Sequence, residues 1–357
     1  MSHLPHRWNR IARRLLLGLL AALVIGEIGV RILDGLRGGS GSLYDSVVVA
    51  GPRFKLRPST RVNVPERYGD VVYRFNSLGY RDDEPGAGPG VRRIVLLGDS
   101  VSFGLGVRQD RIYAALLEAA LRRQFGPAWE MDNLAVFAYH TGHELETLEE
   151  DGLRLRPELV LVQFYMNDFS IPPPAAPGAP PPRPGLGDRL TAVKNRVLYS
   201  SALYRRLNQI VEGAAYLLAH GARRRWFPET LSSVEARGER AMLEAHPDDG
   251  RIAAFQALRQ IRDRARERGA GTLVILSPDE LQLFTPKYDG INRRMAEFCR
   301  RAGIPLFDPL PALRASPRRA DLYLDGVHLT ETGHRMMAGL LLDELRRRGL
   351  LARPPRP

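Results

Sequence analysis

Apolar residues along the chain fall into one long run near the N-terminus and a series of short ones that alternate with helical patterns. Residues 15–26 (LLLGLLAALVIG) are uninterrupted apolar, and the pattern continues through Ile28, Val30, Ile32 and Leu33. The pure run is shorter than the ~20 residues a bilayer span needs, and counting Glu27 and Arg31 at its far end brings it to that length. Those two lie four apart and can pair on a helix. The flank carries Arg7, Arg10, Arg13 and Arg14, which marks a membrane-targeting segment and keeps residues 1–14 in the cytoplasm. We read a transmembrane signal anchor over 15–34, in preference to a cleaved signal peptide, because no small-x-small site directly follows the apolar core. Everything beyond it then lies outside the cytoplasm, in the periplasm if the cell is Gram-negative.

The short runs predict an α/β domain. A tether at 35–42 (GLRGGSGS) opens an N-terminal extension reaching residue 90, in which 71–76 (VVYRFN) alternates as a strand and 77–79 (SLG) turns the chain. Strands follow at 93–97 (RIVLL), 130–136 (EMDNLAV), 158–164 (ELVLVQF), 272–277 (TLVILS) and 305–308. Helical patterns lie between them at 113–125 and 142–154 and close the chain at 331–348. Strands alternating with helices imply a parallel sheet covered on both faces. One interruption, at about 171–245, begins with a proline-rich stretch at 171–184 that no core strand or helix accommodates and continues as a helix-patterned stretch at 190–222. It reads as an insertion packed over the sheet's edge or its active-site face. The α/β domain thus spans 91–348, and 349–357 form a tail.

Composition narrows the picture. A chain of 357 residues with 44% hydrophobic and 26% charged content is ordinary for a globular protein. The net charge of +12 first suggests nucleic acid. Lysine occurs only at Lys55, Lys194 and Lys287, however, and the arginines are scattered among acidic residues, so the basicity reads as a solvated surface and no nucleic-acid partner is expected. Cys299 is the only cysteine and permits no intrachain disulfide.

In a doubly wound sheet, functional groups sit just past the C-terminal ends of strands. Gly98-Asp99-Ser100 follows the first core strand, with Gly104 and Gly106 able to turn the chain tightly; Asn167 and Asp168 follow the third; Asp325 and His328 share a loop before the last helix. A serine hydroxyl needs an imidazole to accept its proton and a carboxylate to hold that imidazole in the right tautomer. Ser100, His328 and Asp325 supply these types, and the Ser100 backbone N–H and the Asn167 amide can serve a tetrahedral oxyanion. Asp99 and Asp168 are expected to hold loops by accepting backbone N–H bonds, and Ser102 is a rival nucleophile without the strand-end position. His140, His143 and Glu144 match no standard zinc spacing, and His334 reads as structural.

The stretch 94–104 (IVLLGDSVSFG) resembles the first block of the SGNH (GDSL-like) hydrolases, Asn167 the third, and Asp325-x-x-His328 the fifth. Residues 73–81 (YRFNSLGYR) resemble a stretch found upstream of the serine in membrane-anchored bacterial members. The resemblance implies a flavodoxin-like three-layer α/β/α sandwich with a central parallel sheet and a further oxyanion donor at the backbone of Ala138. Ala138 replaces a family glycine, so its N–H serves only if the local backbone suits an alanine. Tyr165 stands where the family has another glycine and reshapes the acyl pocket. The implied function is a serine esterase, without metal or organic cofactor, acting on a small acyl group such as acetyl on an envelope or exported carbohydrate. An O-acyltransferase on polysaccharide and a non-catalytic binding protein are the alternatives.

Overall fold

The computed structural model describes residues 6–36, 43–50, 53–66, 69–86, 88, 90–170, 201, 203, 204, 207 and 252–351. Helix α1 (His6–Leu36) contains a 21-residue segment, Arg13–Leu33, of mean hydropathy 2.2, long and apolar enough to cross a membrane. Glu27 and Arg31 pair at 2.7 Å, as their spacing predicts. Of the insertion expected at 171–245, only the four described residues can be placed: the Glu27 carboxylate accepts from the Ser201 hydroxyl (2.8 Å) and the Leu203 N–H (2.9 Å). The rest of that insertion, most of the tether and the last residues of the tail lie outside the described residues.

The N-terminal extension forms two antiparallel hairpins, β1 (Val47–Ala50) with β2 (Arg53–Leu56), and β3 (Arg61–Glu66) with β4 (Gly69–Arg74). The strand expected at 71–76 is β4, displaced because Asn76 turns the chain: its Oδ1 accepts the N–H groups of Leu78 and Tyr80 at 3.1 and 3.0 Å.

Strands β5 (Arg92–Leu97), β6 (Trp129–Asn133), β7 (Leu159–Phe164), β8 (Gly271–Leu276) and β9 (Leu306–Phe307) form one parallel sheet in the order β6-β5-β7-β8-β9. Between them run α2 (Ser100–Phe103), α3 (Tyr113–Phe125), α4 (Thr141–Glu150), α5 (Ala253–Glu267) and α6 (Gly290–Ala302), and α7 (Leu310–Ala315) and α8 (Glu331–Arg347) follow the last strand. Alternation along the strands feeds two separate cores. Val95, Val160, Val162 and Val274 pack with Leu148 of α4, Phe255 and Ile261 of α5, Phe298 of α6 and the β3–β4 hairpin. Ile94, Leu96, Leu161 and Ile275 pack on the other face with Leu117 and Leu121 of α3 and Leu341 and Leu345 of α8. The chain leaves β5 toward β6 through α3 on one face and returns past β5 to β7 through α4 on the other, so the strand order reverses at the end of β5.

Two boundaries differ from expectation. The strand expected at 130–136 stops at Asn133, whose Oδ1 accepts the Ala135 N–H (3.2 Å) while its Nδ2 donates to the Ser102 carbonyl (3.1 Å). The helix expected at 142–154 ends at Glu150, and a separate 3₁₀ turn covers Gly152–Leu155.

Candidate active site

The end of β5 is shaped by close approach. A Cβ at Gly98 would come within 2.6 Å of Ser102 Oγ and 2.7 Å of Gln163 Oε1, so only glycine fits. Asp99 then caps α2, accepting the Val101 N–H at 2.8 Å, and Gly104 and Gly106 turn the chain out at φ 76° and 77°. Ser102 points into the protein: it is fully buried, donates to Gln163 Oε1 at 2.9 Å and shares a hydrogen bond with the Tyr113 hydroxyl. That disposes of the rival nucleophile. Ser100 stays half-buried, with Oγ 2.9 Å from His328 Nε2.

The loop bearing His328 is held from three sides. Tyr323 bridges Leu329, its hydroxyl donates to the Pro278 carbonyl (2.6 Å), and the Glu280 N–H donates to the Gly326 carbonyl (2.8 Å). Asp325 Oδ2 lies 2.8 Å from His328 Nδ1, while Oδ1 accepts the N–H groups of Val327 (3.1 Å) and His328 (2.9 Å). Partial burial works to raise the pKa of this carboxyl, and the hydrogen bonds and charge of His328 overcome it, holding Asp325 at about 2. An ionised carboxylate facing Nδ1 keeps the ring proton there, leaving Nε2 as an acceptor for the Ser100 hydroxyl proton.

Asn167, just past β7, donates from Nδ2 to Asp99 Oδ2 at 3.1 Å. Asp99 therefore holds a side chain as well as the backbone N–H expected of it, and through it Asn167 is tied to the serine turn. Among the described residues, no acceptor engages the backbone N–H of Ser100 or Ala138. Ala138 adopts φ 59°, the left-handed conformation that favours glycine. Its methyl is exposed, so the position tolerates alanine at the expense of backbone strain alone. Ala138→Gly is expected to change stability by less than ~1 kcal/mol, strain relief offsetting the entropy of glycine. If only the N–H acts, kcat/KM for p-nitrophenyl acetate stays within about threefold; a larger loss would give the methyl a role of its own.

Below the serine lies a group of buried acids. Asp168 accepts from the Thr141 N–H and hydroxyl (2.5 and 2.7 Å) and from the Tyr165 N–H (2.9 Å), which is the loop-holding role expected of it. Burial and the nearby charge of Asp99 nevertheless raise its pKa to about 7. Glu144 is buried with both carboxylate oxygens unpartnered among the described residues. Burial, then the charges of Asp168 and Asp99, pushes its pKa well above the ordinary range. The folded chain thus keeps a proton that the unfolded chain releases above pH ~4.3, and stability falls as pH rises from there. Glu144→Met is expected to stabilise by about 1–3 kcal/mol at pH 8, with the gain shrinking toward pH 4.5. Thermal unfolding at both pH values checks this, and an equal gain at each would rule out the ionisation.

The neighbouring histidines are structural in their contacts. His140 Nδ1 caps α4 by accepting the Gly142 N–H (3.2 Å), and its ring stacks 3.7 Å from that of His143. Burial, then the neighbouring charges of His140 and Arg53, lowers the His143 pKa to about 4. His334 is fully buried, accepts the Tyr113 N–H at 3.1 Å, and is lowered to about 3 by burial and then by the charge of Arg81. Two residues escaped notice in the sequence. Gln163, the one polar side chain inside β7, accepts from both the Asp99 N–H (3.1 Å) and Ser102; its presence in an otherwise apolar strand was the available signal. Arg81, fully buried behind α2, had no signal beyond its place in 73–81.

Comparison with known proteins gives a family. The model of the GDSL-like lipase/acylhydrolase family matches residues 96–336. No curated protein matches the chain. Among solved structures, the lipase/acylhydrolase from Enterococcus faecalis is 14% identical, with 72% of this chain and 96% of that one covered and a TM-score of 0.42. A catalytic mutant of an acetylxylan esterase from Geobacillus stearothermophilus is 15% identical, with 72% and 95% covered and a TM-score of 0.40. The family match begins inside β5, two residues before Gly98, and ends inside α8, so it takes in every strand end that carries a site residue. The chain belongs to the GDSL-like lipase/acylhydrolase family and is a hydrolase acting on ester bonds.

Proposed function

We propose that Ser100 is the nucleophile of a serine esterase, with His328 as its general base and acid and Asp325 as the group that orients and charges-balances the imidazole. The reading rests on one observation, the unbroken chain of hydrogen bonds from Asp325 through His328 to Ser100. As Ser100 Oγ attacks the ester carbonyl, its proton passes to His328 Nε2 and the imidazolium faces the Asp325 carboxylate. The backbone N–H groups of Ser100 and Ala138 and the remaining Nδ2 hydrogen of Asn167 receive the oxyanion. Collapse expels the alcohol, which takes the proton from His328, and leaves an acyl-Ser100. Water, deprotonated by the same nitrogen, then attacks the acyl carbonyl; the acid departs and Ser100 is restored.

The ester we favour carries a small acyl group such as acetyl on an envelope or exported carbohydrate. Two features support this. Tyr165, two residues before Asn167 in the chain, is a buried tyrosine where related sequences carry a glycine, which suits a small acyl group, and the arginine-flanked α1 suits an anchor with the catalytic domain outside the cytoplasm. The test uses the full chain in detergent: a fluorophosphonate probe is expected to label Ser100, and p-nitrophenyl acetate to turn over faster than longer acyl esters. Absence of labelling in folded protein would sink the reading. Labelling accompanied by slow hydrolysis that accelerates on addition of a sugar acceptor would replace the esterase with an acyltransferase.

A further inference from the structure

Asp99 and Gln163 hold the serine turn from its N-terminal side. Its C-terminal side is held by other groups. Helix α2 has four residues, and Gly104 leaves it in the left-handed conformation, φ 76° and ψ 50°. Its last carbonyls cannot be taken up by a continuing helix, and buried carbonyls need donors.

Those donors come from the N-terminal extension. The guanidinium of Arg81, fully buried, donates from Nη1 to the carbonyls of Phe103 (2.8 Å) and Gly104 and from Nη2 to that of Val107. The group lies 4.2 Å from the Tyr73 ring centroid and 5.3 Å from that of Phe103, and these two rings stack on each other. Tyr73 adds a fourth tie, its hydroxyl accepting the Gly106 N–H at 2.8 Å. Arg81 is itself positioned by the turn at Asn76 to Tyr80. Gly79 in that turn has φ 85°, and a Cβ there would meet the Leu56 carbonyl oxygen at 2.4 Å. Four ties thus converge on residues 103–107, immediately behind the nucleophile, and a planar fork of fixed geometry makes three of them.

We propose that Arg81, with Tyr73, is a positioning residue for Ser100: it fixes the C-terminal end of the serine turn, so the N-terminal extension is part of the machinery that aims the nucleophile. This rests on the reading of Ser100 as nucleophile. An ammonium on a flexible stem cannot reproduce the fork, and a small displacement of a reacting atom lowers rate more than it lowers affinity.

The experiment compares full-length wild type, Arg81→Lys, Arg81→Ala, Tyr73→Phe and Ser100→Ala in detergent. It measures kcat and KM for p-nitrophenyl acetate, circular dichroism, and rescue by added ethylguanidinium. Arg81→Lys is expected to fold and to lose about 10- to 100-fold in kcat with KM within about twofold. Tyr73→Phe is expected to lose a smaller factor in the same direction, and ethylguanidinium to restore part of the activity of Arg81→Ala. Wild-type kcat in folded Arg81→Lys and Tyr73→Phe overturns the inference, as does a loss confined to KM. If Arg81→Ala fails to fold, the lysine and phenylalanine variants decide. Activity retained by Ser100→Ala would instead overturn the nucleophile reading, which keeps the two failures distinct.

Discussion

Replacing Ser100 with alanine is expected to lower kcat for p-nitrophenyl acetate by about 10⁵- to 10⁶-fold, and His328→Ala by nearly as much. The double variant should lose no more than either alone, because Oγ and Nε2, 2.9 Å apart, act as one unit in moving one proton. A residual rate above that of water should survive in all three, since the backbone donors at Ser100 and Ala138 do not depend on either side chain. The outcome against this is additivity. If the double variant lost the product of the two single effects, serine and histidine would be working independently, and the chain of hydrogen bonds would not be the catalytic unit.

Asp325→Asn should cost about 10⁴-fold in kcat while leaving the fold intact. The reason lies in which way the amide must turn. Oδ1 of Asp325 accepts two backbone N–H groups, from Val327 and His328. Those donors require an oxygen, so the asparagine NH₂ is driven to the other side, where it faces His328 Nδ1. The ring must then accept at Nδ1 and carry its proton on Nε2, pointing a donor at Ser100 where an acceptor is needed. A loss below about tenfold would show that the loop does not dictate the tautomer. Asp325→Ala offers a useful contrast: it removes the ionised carboxylate without imposing the wrong tautomer, and should be less damaging than the isosteric change.

Much of this site was legible in the sequence because its parts are local. The apolar runs at 93–97 and 158–164 end where β5 and β7 end, and the residues just past them are the ones the sheet brings together. The DxxH spacing is short enough for one loop to present both groups, and it does. Helix α3 covers 113–125 as its periodicity predicts. What sequence could not show depends on pairings between distant positions. The β1–β2 hairpin and β3 were not foreseen, since Arg53, Lys55 and Pro65 break the strand pattern; Arg53 is nonetheless buried, donating to Tyr139 and pairing with Glu150 at 2.6 Å. Glu144 sits on a helix with Glu146, Glu149 and Glu150, and nothing in that run distinguishes the one carboxyl that is buried. The role of Arg81 is set by carbonyls more than twenty residues away, and a carbonyl has no sequence identity to read. At Ala138 the sequence poses the condition, and the backbone answers with φ 59°, the left-handed conformation that favours glycine, so alanine holds the position under strain.

Gln163 has a consequence for how the chain reaches its fold. In the native pairing Leu96 lies beside Leu161 and Leu97 beside Val162, and this register sets Gln163 where its carbonyl oxygen can take the Asp99 N–H and the Ser102 hydroxyl. The other five residues of β7 are apolar, so hydrophobicity alone distinguishes poorly between this register and one shifted along β5. A shift by one residue turns Gln163 to the opposite core, among the valines and phenylalanines packed on α4, α5 and α6, where its carbonyl oxygen would lose both donors at a heavy penalty. The residue that seats the serine turn therefore also proofreads the pairing of the two central strands: a chain that closes its sheet in the wrong register forfeits the nucleophile's support in the same step.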